Sequence, residues 1–301
     1  MLRFPEAQRD VLALADWLEL KAILSNDKNS SLGDLERALT RESVYVDESE
    51  ALENKLADVA KELDARGLAG GGAYPFKNEA GRLQAKENRK TSTYVFCLCL
   101  SYFRSKQKKG VKVYPGRMFE ALSVEAARTF VTGAKQKPGA SRFGTPRHAK
   151  DYPSSFRAAI DTLCSRDINE GGGWPAGKKV TPKLRPQDGG LDVVAWRDWQ
   201  DKRPGKLILF GACAAGADWT EKTRELDLGT FCPEYLAPPP VSQILRAFFV
   251  PHRIHADQWD VISRQAGLVF DRCRISHLVP ELPERVAIHG DPVKWMKTLL
   301  K

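Results

Sequence analysis

Two apolar runs, Leu191 to Trp196 and Leu207 to Phe210, are joined by about ten residues of basic, turn-forming sequence. Short apolar runs bounded by turn residues read as β-strands, and two such strands in succession form a hairpin. The stretches around the hairpin set the fold class. Residues 116–133 (GRMFEALSVEAARTFVTG) and 154–169 (SSFRAAIDTLCSRDIN) precede it and read as helices. A polar helix (218–226), a third β-like run (244–254), another helix (257–267) and a fourth strand candidate (267–279) follow. Helix, helix, strand, strand, helix, strand, helix, strand predicts an α/β sandwich, a mixed sheet flanked by helices.

The first hundred residues have another character. Residues 5–24 place apolar side chains at helical spacing. Residues 30–41 read as a short helix with Ser31 near its N-cap, and residues 48–72 as a longer one that stops at Gly67 and Gly70–Gly72. Thr93 to Phe103 is apolar enough for a buried helix or a strand, and periodicity does not decide between them. The basic break KQKKGVK (106–112) places a domain boundary nearby. Residues 1–110 are then a mainly helical region, acidic at its start, and 111–301 a second domain.

Charge divides the chain in a similar way. Residues 1–75 carry nine Lys/Arg against fifteen Asp/Glu, whereas 76–301 hold the other thirty-eight against twenty-three, for a net +9. A basic part of this size attracts polyanions, of which nucleic acid is the commonest. The acidic helices suit a protein partner. Six cysteines without a CxxC pair make neither a disulfide framework nor a zinc ribbon. The first residues carry acids through their apolar part, unlike a signal peptide. No window of about 18 apolar residues exists to span a membrane, and a reducing, cytoplasmic setting is expected.

Asp192 stands inside the first apolar run, where Asp is disfavoured. Antiparallel pairing puts the start of one strand beside the end of the next, so Asp192 neighbours positions 212–214. Carboxylates gathered at one sheet edge suit a hard cation such as Mg²⁺, which takes oxygen ligands and keeps waters. Such an ion lowers the pKa of a bound water and steadies charge developing on a phosphate. The plainer alternative is that Asp192 bounds its strand after the Gly189-Gly190 turn.

The stretch GRMFEALSVEAARTF, then GGLDVVAW, then KLILFGACA resembles the PD-(D/E)xK restriction-endonuclease-like core. More closely, the run from DGGLDVVAW to ADW is similar to bacterial proteins of restriction and phage-defence neighbourhoods. The resemblance covers roughly residues 116–280. It implies a Mg²⁺- or Mn²⁺-dependent DNA endonuclease acting in restriction or anti-phage defence, often as a dimer. Asp192 matches the strand Asp, and Glu120 matches the helix Glu, with Glu125 a second candidate. Both Asp192 and Glu120 are then metal ligands. Positions 212 and 214 should carry an acid or Gln and a Lys, but they are Ala212 and Ala214. Three explanations stand open. The chain is a non-catalytic nucleic-acid-binding subunit; or its lysine has moved, to Lys222 or Lys206; or Ala212 replaces a Gln, since the close pattern reads Gly-Gln-Cys-Ala.

Basic loops supply candidate phosphate contacts: Lys135, Lys137, Arg142 and Arg147 in one, Lys178, Lys179, Lys183 and Arg185 in another, and 104–112 in a third. Tyr114, Phe143 and Trp174 interleave with them and are candidates to stack on bases. Asp188 reads as a turn residue, Asp218 as an N-cap and Cys213 as core. The HRIH run (252–255) with His277 offers a weak zinc alternative. GGGWPAGKK lacks the GxxxxGK[ST] spacing of a P-loop.

Overall fold

The computed structural model describes residues 2–87, 92–103, 114–132, 139–177 and 189–300. In chain order the elements are α1 (Val11–Leu24), β1 (Asn29–Ser31), α2 (Leu32–Arg41), α3 (Ser49–Gly70), β2 (Phe76–Glu79), β3 (Arg82–Ala85), α4 (Thr93–Phe103), α5 (Pro115–Phe130), β4 (Gly139–Arg142), α6 (Phe156–Thr162), β5 (Val193–Arg197), β6 (Leu207–Cys213), α7 (Leu228–Tyr235), β7 (Ile244–Phe249), α8 (Trp259–Ala266), β8 (Leu268–Phe270), α9 (Arg272–Leu278) and α10 (Pro292–Leu299). They divide into two compact units. The first comprises Met1–Pro115, Pro251–Ala256 and Asp271–Lys301, and the second Gly116–Val250 and Asp257–Phe270. The second unit therefore does not run on to residue 301. The last thirty-one residues return to the first unit.

The first unit is helical with a small sheet. Ser31 caps α2 in a reciprocal box with Asp34, each side chain meeting the other residue's backbone N–H. The helix α3 ends within the predicted glycine stop. Strands β1, β3 and β2 pair antiparallel, in that order, around a turn at Ala80-Gly81. Thr93 to Phe103 is a helix, buried over its first eight residues. A buried ionic cluster joins its elements. Arg66 of α3 donates to Asp16 at 2.7 Å, Glu19 at 3.0 Å and Glu62 at 2.7 Å. Arg272 of α9 donates to Asp16 at 2.5 Å, and the hydroxyls of Tyr74 and Tyr94 both donate to Glu19. Burial alone would raise the Asp16 carboxyl, but Arg272 and Arg66 outweigh it and hold Asp16 below the ordinary carboxylate value.

The second unit is an α/β fold built on a mixed five-stranded sheet of order β4-β5-β6-β7-β8. β4, β5 and β6 are antiparallel, while β7 and β8 run parallel to β6. Parallel neighbours need a crossover: α7 lies in the connection from β6 to β7, and α8 in that from β7 to β8. Helices cover both faces. On one, the Phe130 ring of α5 meets Phe270, which stacks on Phe249 at 4.7 Å. On the other, Phe231 of α7 meets Phe210 at 5.9 Å. The predicted hairpin is β5–β6, with Val193 opposite Gly211 and Arg197 opposite Leu207. The small residue at 211 has a steric cause, since a Cβ there would come within 2.6 Å of the Phe249 ring.

Two runs differ from the sequence expectation. The third strand stops at Phe249, before Pro251. In 267–279 only Leu268–Phe270 is a strand, because Asp271 then caps α9 by accepting from the Arg274 N–H. Among the described residues no helix is long and apolar enough to cross a membrane.

Candidate active site

Asp192 immediately precedes β5, and the ladder already includes its backbone: its N–H donates to the Gly211 carbonyl at 2.9 Å. Its carbonyl accepts from the N–H groups of Phe143 at 2.7 Å and Gly144 at 3.2 Å. This seats the segment after β4 against the mouth of the hairpin. The Asp192 side chain is half-buried, and its Oδ2 accepts from the Cys213 N–H at 2.8 Å. One oxygen thus satisfies a backbone donor at the end of β6. Asp192 is therefore also the strand-bounding residue of the plainer sequence reading.

The other oxygen faces Gly144. A Cβ on Gly144 would lie 2.7 Å from Asp192 Oδ1 and 2.9 Å from Glu120 Oε2. The two carboxylate oxygens are therefore no farther apart than the sum of those distances, and they flank a position that only glycine leaves open. Glu120 comes from the middle of α5, the helix that lies on this face of the sheet. The two acids singled out in the sequence thus converge at one end of the sheet. Glu125, one turn further on, instead pairs with Arg128 at 3.2 Å.

Arg142 completes the cluster. It ends β4 opposite Val193, is 5% exposed, and donates from Nε to Glu120 Oε2 at 2.5 Å and from Nη1 to the Pro146 carbonyl at 2.8 Å. Arg142 does not project from a surface loop as expected: it ends a strand, and its guanidinium is buried beside a carboxylate. Arg147 is likewise no free loop cation. Its guanidinium lies 4.7 Å from the Phe143 ring centre and 5.5 Å from that of Phe156, and Nη1 donates to the Ser154 carbonyl. Phe143 and Trp174, proposed to stack on bases, are buried: Phe143 lies edge-on to Tyr152, and Trp174 stacks on Tyr235. Tyr114 alone of the three is exposed. Lys135, Lys137, Lys178, Lys179, Lys183, Arg185, the basic run at 104–112 and Asp188 lie outside the described residues.

The remaining candidates are elsewhere. Ala212 and Ala214 are both buried and bring no functional group. Lys206 is at the opposite end of the hairpin and donates to Asp198 at 2.5 Å. Lys222 lies in the 3-10 turn after β6, and among the described residues no ion pair joins it to Glu120 or Asp192. Asp218 occupies the N-cap position of that turn without a side-chain capping bond. Burial, reinforced by the Asp192 and Glu120 carboxylates, pushes the Cys213 thiol up, which disfavours the thiolate. The histidines form no metal site. His255 bonds Asp10 at 2.8 Å, and among the described residues no group of three or more His, Cys, Asp or Glu could hold a metal ion.

A pair of carboxylates is nonetheless a sufficient protein contribution for Mg²⁺, which usually keeps several waters and takes one or two carboxylates. Glu120 and Asp192 are the residues here that could hold such an ion. Gly144 was not singled out by sequence reasoning, and Arg142 was singled out only as a loop cation for phosphate; the local signal is the Arg-Phe-Gly triplet at 142–144. Comparison with protein-family models, with curated proteins and with solved structures finds no match.

Proposed function

We propose that this chain is a metal-dependent DNA endonuclease with a restriction-endonuclease-like core. The observation that carries the reading is the convergence of Glu120 and Asp192 on Gly144. A helix bearing Glu, followed by a hairpin with Asp at its entrance, is the arrangement that the resemblance implies. Glu120 and Asp192 would hold Mg²⁺ or Mn²⁺, which when bound supplies an acidified water and charge stabilisation at a phosphate. Asp192 keeps its orientation through the Cys213 N–H, and Glu120 through Arg142. Action in bacterial restriction or phage defence follows from the resemblance alone, as does any dimer, whereas a cytoplasmic setting rests on the cysteine usage and the character of the first residues. A protein partner for the acidic N-terminal helices rests on their charge.

A second reading, a nucleic-acid-binding subunit without catalysis, is favoured by Ala212 and Ala214. Plasmid cleavage with Mg²⁺ or Mn²⁺ separates the two. The nuclease reading expects cleavage by the chain itself or by Ala212→Gln, and a loss of about 10²-fold or more on adding Asp192→Ala. Salt-sensitive binding with no cleavage by either form supports the binding subunit.

A further inference from the structure

A phosphodiester site needs a cation that touches the phosphate, and neither Lys206 nor Lys222 joins the two acids. Arg142 does. It is buried to 5% exposure and reaches the same cluster from a different strand, β4 rather than β6. Its Nε bonds one oxygen of Glu120, its Nη1 bonds the Pro146 carbonyl, and its Nη2 is buried with no hydrogen-bond partner among the described residues. Buried donors are nearly always satisfied, and an orphan is costly. In the planar guanidinium fork, Nη2 shares the Nε edge, so the orphan donor lies on the side that faces Glu120.

We propose that Arg142 is the phosphate-binding cation of this site, with Nη2 donating to a non-bridging oxygen of the phosphate. It would take over the charge that the second strand lacks at Ala212 and Ala214. The inference rests on the nuclease reading for its substrate, but its ligand chemistry, an oxyanion of phosphate type, can be tested separately. Two carboxylates outnumber one guanidinium here, so the anion is expected to bind better once a divalent cation offsets them.

The test uses the full chain with ¹⁵N-labelled arginine side chains and backbone amides, titrated with inorganic phosphate with and without Mg²⁺. The Arg142 signals are identified by their loss in Arg142→Lys. A saturable shift of the Arg142 guanidinium, tighter with Mg²⁺, is expected. In Arg142→Lys the affinity read on the Gly144 amide should fall about tenfold or more, because an ammonium lacks the fork. No shift up to about 50 mM phosphate, where even a weak millimolar site would saturate, overturns the proposal. So does a Gly144 shift with Arg142 unmoved. Cleavage by Arg142→Lys at the unmodified rate would sink Arg142 while leaving the nuclease reading intact. An Arg142 shift in a chain that cuts nothing would do the reverse.

Discussion

Gly144 is the residue on which the site depends most simply. Its φ is not in the left-handed region, so alanine is acceptable to the backbone; what forbids it is the pair of oxygens at 2.7 and 2.9 Å. Neither can swing away freely, since the Glu120 carboxylate is held by Arg142 and the Asp192 carboxylate by the Cys213 N–H. Gly144→Ala is therefore expected to destabilise the fold by about 1–3 kcal/mol, as overpacking does. It should also remove divalent-cation binding while the chain remains folded, which chemical denaturation and calorimetry would together show. The two acids were legible in the sequence because each broke a pattern or matched a motif. Arg142 was mistaken for a loop cation and Gly144 passed unnoticed. Arg142 ends, and Gly144 follows, a strand of four residues, Gly-Ala-Ser-Arg, with no apolar run to announce it.

At the scale of elements, local chemistry decides where periodicity is silent. The capping box at Ser31 and Asp34 marks the start of α2, and Lys21 and Arg37 also bond Asp34. Burial alone would raise the Asp34 carboxyl, but those hydrogen bonds bring it down to about 2. A depressed folded-state value means stabilisation that is complete above the ordinary carboxylate value of 3.8 and is lost as pH falls through about 2. Ser31→Ala is expected to cost about 1 kcal/mol. Asp34→Asn should flatten the acid limb of a pH–stability profile in that window; an unchanged limb would show that Asp34 carries none of it. The same capping logic explains a miss. Asp271 ends β8 and starts α9, so the apolar run 267–279 became a three-residue strand and a helix. The small sheet β1–β3 was invisible because its strands are short and partly polar, at three or four residues each. The β5–β6 hairpin was plain because both strands are buried almost throughout and so read as continuous apolar runs.

Across the whole chain, two units do different work. The second carries the candidate site. The first is organised around charge that is fully buried, with Arg66 and Arg272 showing no side-chain exposure. Burying a guanidinium is costly unless its partners stay in place, so removing one member leaves uncompensated charge. Arg66→Met is expected to lower stability by about 3–5 kcal/mol. Arg37→Met, with its side chain 73% exposed, should change it by less than about 1 kcal/mol. Equal effects in denaturant unfolding would contradict this view of the cluster. None of this network was foreseen, because Arg66 and Arg272 are far in sequence from Asp16 and Glu19 and each looks like an ordinary helix charge. Fold class, by contrast, was legible from element order alone.

If Glu120 and Asp192 together hold a divalent cation, Mn²⁺ binding to the full chain, followed by calorimetry and by electron paramagnetic resonance, will show one site. That site is expected to weaken about tenfold or more in Glu120→Gln and in Asp192→Asn separately, and to be untouched by Glu125→Gln. Binding that survives both substitutions, or no binding at millimolar Mn²⁺, would contradict that assignment.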